Sequence, residues 1–199
     1  MNKTVEPLLN RVENFVREQL RNRLSEKMYF HNLEHTLLVV EGVQIIGNAI
    51  GLLEEEKLVV ILAAFLHDVG YTEKYAGHEE ASANIATAFL MQNGFDAKRT
   101  EMVRNCILAT KFPQNPTNEL EAVICDADFF HFSLKNYQDY ASRLKAEWKE
   151  NLDLEYSQLA WDKLNLHMLQ QHEYFTIFGK TVLQEKKADN ISLLLKRIT

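Results

Sequence analysis

Three stretches of the 199-residue chain concentrate side chains able to hold a metal ion. His67-Asp68 closes the apolar run 58–66 and is followed at once by Val69-Gly70. An apolar helix normally finishes in residues that cap the backbone or tolerate water, and an imidazole beside a carboxylate does neither job well. Upstream, His31-Asn32-Leu33-Glu34-His35 places two imidazoles one turn apart on one face, if the segment is helical. Downstream, Asp126 and Asp128 sit among Val123, Ile124, Phe129 and Phe130. Carboxylates in such company are costly to bury unless they are paired, hydrogen-bonded or bound to a cation.

Each stretch has an ordinary explanation when taken alone. His67 suits a helix C-terminus, a histidine pair at this spacing is common on surfaces, and Asp-x-Asp is a frequent helix cap. Together they form a mixed nitrogen and oxygen donor set that neutralises a divalent ion and suits Mn, Fe, Co, Ni or Zn better than Ca. A six-coordinate ion with four protein ligands keeps two positions for water and a phosphoryl oxygen, the arrangement needed for attack of an activated water on a phosphate ester.

The elements that must position these residues are helical throughout. Val5, Leu8, Leu9, Val12, Phe15, Val16 and Leu20 recur at helical spacing and predict an amphipathic first helix. A second helix is expected over about 33–50, and a third opens on Glu54-Glu55-Glu56, where acidic residues complement the dipole. After a polar connection over 71–77, HEEASANIATAFLMQNG reads as a helix stopped at Asn93-Gly94. The next covers about 97–110 and exits into KFPQNPTN, which carries two of the three prolines and is placed to frame a site. Helical periodicity resumes at Glu119 and continues in long segments over 137–150 and 156–187, the last extending past a break at Asp189-Asn190. No run alternates with period two, so the class is all-α.

Composition narrows the function. The chain is 46% hydrophobic and 25% charged with seven Gly, which fits a compact helical protein. A net charge of −6 offers no basic face for nucleic-acid phosphates, so no nucleic-acid partner is expected. The N-terminus lacks a secretory signal and LVVILAAFL is too short to span a bilayer, so no membrane partner is expected and a cytoplasmic location is. Cys106 and Cys125 read as small buried apolar residues of a reducing compartment.

His35 within YFHNLEH, the doublet within AAFLHDVGY and Asp128 within DADFF resemble the signature of the HD-domain superfamily of metal-dependent phosphohydrolases: a histidine, a later His-Asp doublet and a distal aspartate on separate helices. The likeness is to small bacterial members with YHN-like and DAD-like segments, and WDKLNLHMLQQHEYF in the tail is similar to them as well. It implies a compact HD-domain-like helical bundle with a C-terminal helical extension. A single domain over 1–199 would carry its metal-site core at about 29–131 and its C-terminal helices at about 136–199.

The resemblance further implies that His35, His67, Asp68 and Asp128 bind a divalent ion, of the transition series or Mg, and that Asp68 takes part in catalysis. In a DAD segment either aspartate can be taken for the ligand, so Asp126 stays an alternative with capping or orienting as its other role. Among the neighbours, His31 is a candidate to bond substrate or a supporting partner behind the ligands, and Glu79 or Glu80 to move a proton near a metal-bound water. Lys111 would meet a phosphate oxygen if the Pro-rich loop folds over the site, and His78 is a candidate extra ligand. Where members with a second metal carry a further histidine, this chain reads Thr110-Lys111, which lowers the case for an HD-type di-iron oxygenase. The expected activity is hydrolysis of a nucleotide or other small phosphate ester; a binding module that senses a nucleotide through its metal is the alternative. Sequence periodicity leaves the oligomeric state open.

Overall fold

The computed structural model describes residues 5–199, and side chains from residue 7 onward. Among them the regular structure is helical: α1 (Val5–Arg23), α2 (Leu33–Ala49), α3 (Glu54–Leu66), α4 (His78–Gln92), α5 (Ala97–Ala109), α6 (Glu119–Asp128), α7 (Tyr137–Leu152), α8 (Gln158–Gln171) and α9 (Gln184–Ile198). Short 3-10 turns at Val69–Thr72 and Phe130–Ser133 follow α3 and α6, and a π turn at Gly179–Leu183 leads into α9.

The apolar run that carries the His-Asp doublet forms the centre of the molecule. From Leu58 to Leu66, α3 is buried on nearly every side, packed by α1, α2, α5 and α6. A helix without a polar face has no other stable place in water. Its start is fixed by Glu56, whose carboxylate accepts the Leu53 N–H at 2.8 Å. The core continues through Val39, Val43 and Ile46 of α2 and Val123, Ile124 and Ala127 of α6, so the helices bearing the candidate ligands share one hydrophobic interior. A smaller cluster of Phe132, Tyr137, Ala141, Leu169 and Leu194 joins the C-terminal helices to it through Phe129. Both cysteines are free and buried.

The helices expected from periodicity are present as far as α7. The tail differs: the expected continuous segment over 156–187 is broken after Gln171, and α9 runs unbroken through Asp189-Asn190. Asp126 explains the break, because its carboxylate accepts the N–H groups of Phe175 (2.7 Å) and Thr176 (2.9 Å) and the Thr176 hydroxyl (2.6 Å). A buried carboxylate satisfied in this way holds the chain in a non-helical path. Gly179 is part of the same knot, since a Cβ there would come within 2.3 Å of Asp126 Oδ2. Asn190 interrupts nothing. Its side-chain amide donates to the carbonyls of Phe132 and Leu134 at 2.9 Å each, fastening α9 to the turn after α6.

Candidate metal centre

His35 lies on the first turn of α2 because Asn32 caps that helix, accepting the Glu34 N–H at 2.9 Å and the His35 N–H at 3.4 Å. Asn32 also donates to the Tyr29 carbonyl at 2.8 Å, which fixes the entry of the chain into the site. His67 closes α3 with Nδ1 2.9 Å from the Ala64 carbonyl, so the ring is oriented from behind and Nε2 points into the cluster. Asp68 follows as α3 gives way to a 3-10 turn, and Asp128 is the last residue of α6. Gly70 lets that turn lie against the start of α4: a Cβ there would sit 2.1 Å from the His78 carbonyl oxygen.

The four side chains meet at one point. Nε2 of His35 and Nε2 of His67 face each other at 3.4 Å. Asp128 Oδ1 is 3.3 Å from His35 Nε2, and Asp68 Oδ2 is 3.4 Å and 3.1 Å from His35 and His67 respectively. Donor atoms of His35, His67 and Asp128 all lie within 4.8 Å of one another. Asp68 Oδ2 is buried and has no hydrogen-bond partner, a costly condition for a carboxylate oxygen. Two facing imidazole nitrogens and two converging carboxylates form a donor set that a divalent cation satisfies.

Electrostatics points the same way. Burial alone would lower the pKa of His67, but Asp68 and Asp128 raise it to about 9. Burial would raise that of Asp68, yet His67, His31 and His35 hold it well below the usual carboxylate range. The cluster therefore favours a positive charge at its centre.

Around it stands a layer of supporting groups. His31 stacks on Tyr71 at 4.5 Å between ring centroids, and Tyr71 stacks on His78 at 3.8 Å. His78 Nε2 is 3.6 Å from Asp68 Oδ1, and its Nδ1 is 3.0 Å from the Tyr75 carbonyl. Glu147 of α7 is fully buried behind His31: it accepts the N–H groups of Phe30 (2.7 Å) and His31 (3.0 Å), the Tyr75 hydroxyl (3.0 Å) and the His31 ring at Nδ1. Burial would lower the His31 pKa, but Glu147 and Asp68 raise it. Gln114 of the Pro-rich loop donates to Asp128 Oδ2 at 3.1 Å and so steadies the carboxylate whose other oxygen faces the histidines. His131 packs among Phe30, Phe132 and Tyr140 with Nδ1 3.2 Å from the Asp128 carbonyl, and burial lowers its pKa to about 3, keeping it neutral.

Some sequence candidates lie elsewhere. Asp126 faces away from the centre and is occupied by residues 175–176. Glu80 is exposed and lies 3.6 Å from Arg104, whereas Glu79 borders the site. Lys111 is exposed because the loop turns Gln114, not the lysine, toward Asp128. Gln114 and Glu147 are the residues that reading the sequence missed. Glu147 had a signal: it falls on the apolar stripe of α7 with Tyr140, Leu144 and Trp148, where a charge is unexpected.

A chamber of about 430 Å³ opens from the centre. Asp68, His31 and Asp128 line one part, while Leu144, Trp148 and Trp161 line another, between α7 and α8.

The model of the HD domain family matches residues 32–133, which contain all four converging residues. The chain belongs to the HD domain family. Its helical bundle is similar to a crystal structure described as a predicted HD superfamily hydrolase from an uncultured Thermotogales bacterium, with a TM-score of 0.61 and 18% identity over 94% of this chain and 89% of that one. No curated protein matches the chain significantly. The HD-domain fold and the buried His/His/Asp cluster fit the active site of a metal-dependent hydrolase. Among the described residues, no helix is long and apolar enough to cross a membrane.

Proposed function

We propose that the protein is a phosphohydrolase that cleaves a small phosphate ester with water. The observation that carries this reading is the convergence of His35, His67, Asp68 and Asp128 beside a chamber of small-molecule size. A divalent ion held by these four residues would polarise a phosphoryl oxygen and acidify a bound water.

The rest follows from this chain's own groups. His31, with Nδ1 held by Glu147 and its pKa raised by Glu147 and Asp68 against burial, presents Nε2 to the chamber and would serve a phosphoryl or leaving oxygen as proton donor when the ring is protonated. Glu79 borders the same space, which supports it as the group that would take the proton the attacking water loses. Gln114 and the Asn32 cap hold Asp128 and His35 in register, so the donors are arranged before substrate arrives. In the overall reaction the water oxygen bonds to phosphorus, the P–O ester bond breaks and the ester oxygen leaves as an alcohol. The substrate is a small phosphorylated molecule, with neither nucleic acid nor membrane as partner.

Elemental analysis of the purified protein and a panel of phosphate esters test this. Wild type should carry a divalent metal and release product. His67→Ala and Asp128→Ala should lose both while keeping the helical circular dichroism spectrum. Failure of Mn, Fe, Co, Ni, Zn and Mg alike to bind overturns the reading, and saturable ester binding without product assigns a sensor instead.

A further inference from the structure

We propose that the ester taken by this centre is the phosphate monoester of an apolar alcohol, whose hydrocarbon body lies between α7 and α8. The inference rests on the phosphohydrolase reading and adds the substrate class.

The chamber that begins at Asp68 and Asp128 continues to Leu144, Trp148, Trp161 and Leu164, so a molecule with its phosphate at the centre has its remainder against hydrocarbon and indole. Several polar groups along the way are already engaged within the protein, while the indole N–H of Trp161 is buried without a partner. The Tyr137 hydroxyl donates to Asn165 Oδ1, and Asn165 Nδ2 donates to the Trp161 carbonyl at 2.8 Å. The Thr110 hydroxyl donates to the Ile107 carbonyl at 2.8 Å and that of Tyr75 to Glu147 at 3.0 Å, so neither has a proton left to donate to a ligand. A nucleoside needs donors and acceptors for its base edge and ribose, and a site that must leave such groups unpaired selects against them. Among the described residues no Lys or Arg lines the chamber, while Asp68, Glu79 and Asp128 do. Beyond the metal centre and His31, every further phosphate would bring negative charge without a Lys or Arg to offset it. One phosphate on an uncharged, apolar body is the chemistry this lining favours.

Binding of non-hydrolysable alkylphosphonates to the metal-loaded full chain tests this without turnover. Both tryptophans of the sequence line the chamber, so their fluorescence reports occupancy, with calorimetry as an independent measure. From methyl- through butyl- to octylphosphonate, the dissociation constant should fall by about fourfold per added methylene, as burial of each CH₂ from water requires. AMP and ATP should bind no more tightly than methylphosphonate. Leu144→Phe and Leu164→Phe, made separately, should shorten the chain length at which the gain stops. Methylphosphonate bound with no gain from chain length, or AMP bound more tightly than octylphosphonate, overturns the proposal alone. Methylphosphonate failing to bind overturns the phosphohydrolase reading and the proposal with it.

Discussion

Glu147 has no accessible surface, yet it is ionised: burial would raise its pKa, but the His31 ring and the N–H groups of Phe30 and His31 lower it. Its four hydrogen-bond donors come from the chain before α2 and from the loop before α4, so one carboxylate ties both to α7. Glu147→Ala strands buried donors and should cost about 3–5 kcal/mol in denaturant unfolding. Glu147→Gln keeps an acceptor and should cost less. The stability contributed by this ionised carboxylate is present above its unfolded pKa and is lost as pH falls through the lower folded value. The unfolding difference between wild type and Glu147→Gln should therefore shrink in acid; a pH-independent difference would rule out an ionised Glu147.

Among elements, the segment between α8 and α9 hangs on Asp126. Asp126→Ala should raise hydrogen exchange across residues 175–183 while leaving the metal content unchanged, in contrast to Asp128→Ala. α9 supplies a separate test. Lys187 is fully buried, with Nζ bonded to the His172 carbonyl, 3.3 Å from His172 Nδ1 and 5.2 Å from the centre of the Tyr174 ring. Burial lowers its pKa to about 8, against a small opposing pull from Glu173. In the window between about 8 and about 10.4, the unfolded lysine binds a proton that the folded one has released. Stability should then rise with pH across that window relative to Lys187→Met, and parallel stability curves for the two proteins would refute the assignment.

These same elements show what the sequence could and could not disclose. The donor positions were legible because a His-Asp pair at the end of α3 and an aspartate pair inside an apolar stretch break the helical pattern. Periodicity alone did not separate Asp128 from Asp126, since both precede apolar residues; the resemblance favoured Asp128, and in the structure Asp126 is held by a partner 49 residues away in the chain, the Phe175 N–H. The tail misled for the same reason. Asp189-Asn190 looks like a stop locally, but Asn190 finds its acceptors at Phe132 and Leu134, and periodicity carries no record of such distant bonds.

For the whole molecule, the centre joins α2, α3 and α6 around one small volume, so occupancy should feed directly into global stability. An ion that binds only the folded chain adds about 2.7 kcal/mol at a hundredfold excess over its dissociation constant. For a chain of this size that corresponds to a rise of about 5–10 °C in thermal midpoint. Differential scanning calorimetry should show this rise with a bound divalent ion, its reversal by chelator and its absence in His67→Ala. An equal rise in His67→Ala would place the stabilising ion elsewhere.

The four converging donors all occur by residue 128, whereas Leu144, Trp148, Trp161 and Leu164 come after residue 133. Chemistry and selectivity are thus written in successive stretches of the polypeptide. On the proposed reading, mutational drift in the later stretch can retailor what the protein accepts while the four donors stay untouched, and grafting residues 137–171 from another member of the family, with Glu147 retained to hold His31, is a direct route to a new preference.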